Sequence, residues 1–185
     1  RSESIEMSGR LLNRTYNEEL DVLWLYPKNW NGRVVVWLGD TGKGALQNDE
    51  VSKLVAGGTA VIGADLLFQG GEDVTQTRVV ENPREFAGYT HGYNHALFAQ
   101  RVHDVMTIVT FLRNTKVGTH PSPDHVSVVA RGHTGPITLA ARALAGSAID
   151  RAAVETGGFR FGNVLDYRDP SFLPGGAKYL DLPGL

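Results

Sequence analysis

The sequence predicts a doubly wound, mostly parallel α/β sheet, and three observations carry that prediction. Apolar periodicity switches repeatedly between short β-like runs and longer helix-like stretches. Several strand runs are almost continuously apolar and β-branched, as expected of parallel strands covered on both faces. Small-residue turns follow those strands, where doubly wound sheets bind ligands. The 185 residues fit one domain with one core.

Val22 to Tyr26 (VLWLY) reads as the first strand, closed by Pro27 and the turn cluster Asn29-Trp30-Asn31-Gly32. Arg33 to Leu38 (RVVVWL) reads as a central strand and stops at the glycine-rich segment Gly39 to Gly44. A short helix is expected over Asp49 to Ala56, ended by Gly57-Gly58, followed by a buried strand at Thr59 to Gly63 with Asp65 just beyond it. The connection from Leu66 to Asn94 is long enough to read as a functional or partner-facing excursion.

Leu97 to Leu112 gives the clearest helix. Leu97, Phe98, Val102, Val105, Met106, Val109 and Leu112 form its core stripe, with Gln100, Arg101 and Asp104 nearer the other face. Thr115 to Pro123 reads as a turn-rich loop, Val126 to Ala130 as a strand, Pro136 to Ala145 as an alanine-rich helix and Arg151 to Glu155 as a further strand. Thr156 to Leu185 reads as loop with short helical turns. Right-handed crossovers place these strands in one sheet with helices on both faces.

A hydrophobic share of 42% and a charged share of 21% are those of an ordinary folded protein. The formal charge of -2 gives no electrostatic footprint for nucleic acid or an anionic membrane, and neither is expected as a partner. No apolar run is long enough to span a bilayer, and the polar stretch from Arg1 to Arg10 lacks a signal-peptide core. With Arg rather than Met first, the chain reads as processed, trimmed or domain-level. Zero cysteines remove thiol nucleophiles and Cys-ligated metals.

The sharpest chemical signal is Ala130-Arg131-Gly132-His133-Thr134-Gly135, a small-residue turn between a buried strand and a helix. That is the setting of a nucleophile elbow, where the turn presents one side chain. His91 and His95, with His103 further along, raise a metal site, but Gly92 and Asn94 spoil the first span as a helix and no metal is expected. The Gly39 to Gly44 spacing matches neither phosphate-loop pattern, and no cofactor is expected. Arg101 with Asp104, and Arg84 with Glu85, read as ion pairs that dock the excursion. Tyr89, Tyr93, Phe159, Phe161 and Tyr167 fit either a sugar-binding face or packing anchors, the second being preferred.

On Glu81 to Tyr89, Gly92-Tyr93-Asn94, the helix from Phe98 to Leu112, and Thr156 to Phe161 through Asp181 to Leu185, the chain resembles the α/β-hydrolase superfamily. More narrowly, it resembles bacterial acetyl-xylan-esterase-like proteins built from tandem hydrolase domains, over nearly all residues from Asp21 onward. The resemblance implies that Gly39, Asp40 and Thr41 form the oxyanion loop and that Gly132 stands where active members carry serine. Glycine has no side chain to attack an acyl carbon. A second register makes Thr134 the nucleophile, with Gly132-His133-Thr134 as the triplet, and His133 beside it is a candidate anion donor.

The triad also needs an acid and a later histidine. Glu155 stands at an acid position, but no histidine follows His133 in these residues. The family's sheet is expected to continue with two strands bearing both groups, so residues 1–185 read as one hydrolase-like domain incomplete at its carboxyl end. The expected function is a noncatalytic scaffold or partner of a catalytic hydrolase half. A second polypeptide completing the sheet, or a homo-oligomer, is the implied partner. The alternatives are a carbohydrate esterase using Thr134 or residues from another chain, and a noncatalytic carbohydrate-binding module. The family implies a secreted or periplasmic setting.

Overall fold

The computed structural model describes residues 4–70, 86–114, 121–178 and 180–184. Six strands, β1 (Ser4–Asn13), β2 (Glu18–Pro27), β3 (Arg33–Leu38), β4 (Ala60–Ala64), β5 (His125–Ala130) and β6 (Arg151–Val154), form one sheet in the order β1-β2-β4-β3-β5-β6. The pairings β4·β3, β3·β5 and β5·β6 are parallel, while β1·β2 and β2·β4 are antiparallel, so the sheet is mixed and mostly parallel.

The helices are α1 (Asp49–Ala56), α2 (Gly88–His91), α3 (Leu97–Asn114) and α4 (Thr134–Ala145). Alternation along the central strands divides the core in two, as a two-faced sheet requires. Val35, Trp37 and Val61 pack under α1 with Val51 and Val55. Val34, Val36, Leu38, Ile62 and Val128 face the larger layer of α3 and α4. Each fully buried Val or Ile contributes about 1.5–3 kcal/mol, so these strands anchor everything that follows.

β3 and α1 fall where expected, and α1 starts at Asn48, whose side chain accepts the Val51 N–H at 2.9 Å. The expected strand at Val22 to Tyr26 is longer, because its ladder continues opposite β1 from Asn13↔Glu18 to Ser4↔Pro27. β1 itself is a correction. Read only as a polar stretch without strand character, it is a ten-residue edge strand with one buried side chain, Leu11. The alternation Ile5, Met7, Leu11 was the available signal. A second correction concerns α3, where Arg101 and Asp104, expected nearer the outer face, are 6% and 3% exposed.

β6 pairs with β5 as expected, and Arg151, Ala152 and Ala153 are exposed along it. α2 lies within the long connection from Leu66 to Asn94. The tail after β6 is loop with two short 3-10 turns, Phe161–Asn163 and Leu182–Gly184. Phe159 and Phe161 tie it down by packing on Phe98, with ring centroids 6.3 and 5.0 Å away. Glu81 to Glu85, with the Arg84 and Glu85 pair, and the loop from Thr115 to His120 lie outside the described residues.

Candidate functional site

The parallel strands β3 and β5 end side by side, with Leu38 opposite Ala130. This adjacency sets the glycine-rich loop after β3 against the elbow after β5. Gly132 has φ +65°, the left-handed conformation that a strained strand-to-helix turn demands and that glycine adopts freely. α4 begins two residues later. A Cβ at Gly135 would fall on the Glu155 carbonyl oxygen, so the first turn of α4 rests directly on the chain leaving β6.

Asp40 closes the elbow from above. Its Oδ1 accepts the His133 backbone N–H at 2.8 Å, and its Oδ2 lies 3.2 Å from His133 Nδ1. A Cβ at Gly132 would land on the same carboxylate. The space that a side chain at 132 would enter therefore holds the Asp40 carboxyl group. In a nucleophile elbow, the N–H after the nucleophile is an oxyanion donor. At this turn the His133 N–H is bonded to the Asp40 carboxylate of the chain itself.

Thr134 is fully buried and its Oγ1 donates to the Arg131 carbonyl at 2.8 Å, so the hydroxyl faces into the turn. The Arg131 guanidinium stacks over Trp37 at 5.3 Å and pairs with Glu50 of α1 at 2.6 Å, fastening the elbow to the opposite layer. Glu155 is exposed; its N–H donates to Ala130, and its carbonyl lies beside Gly135. The structure thus brings together Gly132, His133 and Asp40, buries Thr134 beneath them, and sets the Glu155 backbone against the start of α4.

The rest of the glycine-rich loop is locked by a residue that sequence reasoning left without a role. Asp65, at the end of β4, accepts the Lys43 backbone N–H at 2.8 Å and pairs with Lys43 Nζ at 2.7 Å. Lys43 is correspondingly held above its usual pKa, first by its hydrogen bond to Asp65. Gly39 and Thr41 accept backbone bonds from Gly42 and Gly44, which fold this segment into a 3-10 turn at Gly42–Leu46. The clue was Asp65 just beyond a strand end, facing a lysine among glycines.

The other candidates lie elsewhere. His91 reaches the Tyr167 carbonyl at 3.3 Å, His103 pairs with Glu18 at 2.8 Å, and His95 is exposed after α2 has ended. Among the described residues no group of three or more His, Asp or Glu side chains is arranged to hold a metal ion. Tyr93 is 99% exposed, and Tyr89 packs edge-on against Phe86 at 5.8 Å.

Sheet order, parallel core and the strand-turn-helix elbow after β5 together define the class: this is an α/β-hydrolase fold. Among solved structures, the chain is similar to acetyl xylan esterase 1 from Thermoanaerobacterium sp. JW/SL YS485, with 20% identity and a TM-score of 0.56 over 80% of this chain and 47% of that one. It is likewise similar to a dienelactone hydrolase from Anabaena variabilis, with 13% identity and a TM-score of 0.57 over 80% of this chain and 62% of the other. An esterase from Pyrococcus furiosus matches at 11% identity and a TM-score of 0.57, over 83% and 50%. The chain spans about half to three-fifths of the length of these proteins. No protein-family model and no curated protein sequence matches it.

Proposed function

We propose that this chain is a noncatalytic α/β-hydrolase-fold domain of the acetyl-xylan-esterase-like kind, acting as a scaffold or partner of a catalytic hydrolase half. The observation that carries this reading is Asp40 seated over Gly132. Glycine offers no nucleophile, and a carboxylate engaged with the His133 N–H occupies the donor that would stabilise a substrate oxyanion. A negative charge at that point also repels the charge that ester hydrolysis develops. The partner part of the reading is supported by β6, whose exposed residues Arg151 to Ala153 leave one edge of the sheet open among the described residues. Such an edge is a template for a further strand from a hydrolase half or a second copy.

The test is hydrolysis of a short-chain aryl ester by the purified chain. The expected rate is that of buffer, unchanged in His133→Ala and Thr134→Val. Turnover above buffer that disappears in Thr134→Val overturns the reading in favour of a threonine esterase.

A further inference from the structure

Away from the elbow, α3, α4 and the tail enclose a cavity of 380 Å³. Its walls are Phe98 and Val102 of α3, Ala140 and Leu144 of α4, and Phe161 and Leu173 of the tail. Four of these walls are buried, while Leu144, 70% exposed, stands at the mouth. The volume lies within the range of about 300–1,000 Å³ typical of small-molecule sites, which combine apolar walls with a few placed polar groups.

Two charged residues sit at this cavity, Lys178 and Asp181, and they are not equivalent. The Asp181 carboxylate is fully engaged within the tail, accepting the N–H groups of Phe161 at 2.8 Å, Gly162 at 2.8 Å and Leu182 at 2.6 Å. Desolvation works to raise its pKa, yet these three donors and the nearby Arg160 hold it below the usual carboxylate range. Lys178 has no carboxylate partner among the described residues. The site therefore presents apolar walls, a lysine without a carboxylate partner among the described residues, and a carboxylate that accepts from three backbone N–H groups of the tail.

We propose that this cavity binds an amphiphile with a single alkyl chain and an anionic head, a medium-chain carboxylate, with the chain against Phe98, Val102 and Phe161 and the head at Lys178. A cationic head would lose the Lys178 contact and meet repulsion instead, and a neutral head would gain no ion pair. The proposal stands independently of the elbow reading.

Calorimetric titration of the purified chain with decanoate, kept below its micelle concentration, tests this. Saturable one-to-one binding is expected, tighter than octanoate by about fifteenfold at roughly fourfold per methylene. Decyltrimethylammonium should bind at least tenfold more weakly, and Lys178→Glu, a change on an exposed side chain, should reverse that preference. Ala140→Phe, which fills the cavity from α4, should abolish binding of decanoate; a thermal melt establishes that this variant is folded. No saturable binding by the unmodified chain overturns the proposal, as does affinity indifferent to head-group charge. Unchanged decanoate affinity in folded Ala140→Phe also overturns it.

Discussion

Asp104 and Arg101 both grip the backbone of Leu67: the carboxylate accepts its N–H at 2.8 Å, and the guanidinium donates to its carbonyl at 2.9 Å. Arg101 also reaches the carbonyl of Phe68, which has φ +58°. Two buried charges on one turn of α3 thus fix the path of the chain after β4, next to Asp65 and the glycine-rich loop. Burial lowers the Arg101 pKa, against the pull of Asp104 and then Asp40.

Asp104 makes stability depend on pH. Burial pushes its carboxyl up to about 6, opposed by the Leu67 N–H, with Glu18 adding to the rise and His103 and Arg101 reducing it. The folded value exceeds that of the unfolded chain, so between about pH 4 and 6 the folded protein binds more protons. This contribution is fully present below about pH 4 and is lost as pH rises through 6, by on the order of 3 kcal/mol. Asp104→Asn keeps an acceptor for Leu67 without titrating. Urea unfolding across this window should show the unmodified chain losing stability relative to the variant; a pH-independent difference rejects the assignment.

Asp150 acts with the opposite sign. The Val126 N–H lowers its pKa first, desolvation opposes, and Arg113 and His125 lower it further. Its stabilisation is present above the ordinary carboxylate range and fades as pH falls through the lowered value. Asp150→Ala removes both the Val126 bond at 2.7 Å and the Arg113 pair at 2.7 Å. A loss of about 2 kcal/mol at neutral pH is expected, shrinking in acid, by denaturant titration.

Gly132 and Asp40 should couple. Gly132→Ala places a methyl on the Asp40 carboxylate at a positive φ and is expected to cost about 2 kcal/mol. In an Asp40→Gly background, relief of the clash should leave less than about half of that. Additive losses in the double-mutant cycle would show that the two residues do not compete for the same space.

Gly135→Ala is expected to be the most damaging single methyl at the elbow. Its Cβ meets a backbone carbonyl oxygen, which cannot rotate away. A loss of about 3 kcal/mol or failure to accumulate folded protein is expected, whereas Gly157→Ala, with open space around it, should lose only about 1 kcal/mol to its positive φ. Equal melting temperatures for the two variants contradict this.

The central sheet was legible because β3, β4 and β5 are so apolar that only two-faced burial accommodates them. β1 was harder, since an edge strand with charged Glu6 and Arg10 facing solvent carries only a faint alternation. Arg101 and Asp104 were misplaced because helical periodicity weighs polarity against burial, and it does not register that backbone groups of another segment will satisfy a buried charge. Gly132 at the elbow was readable directly. The Asp40 carboxylate over it was not, because Asp40 reaches the neighbouring His133 across 93 positions through the adjacency of β3 and β5.

The Asp40 side chain also behaves as a tethered competitor. On the proposed reading, an anion from solution would have to displace a carboxylate held at an effective concentration set by the fold rather than by the buffer, and for short tethers that reaches the millimolar range or above. The backbone keeps its turn at Gly132, with the His133 N–H bonded to Asp40. One side chain at position 40, and not the geometry of the turn, sets whether the His133 N–H is available to anything else.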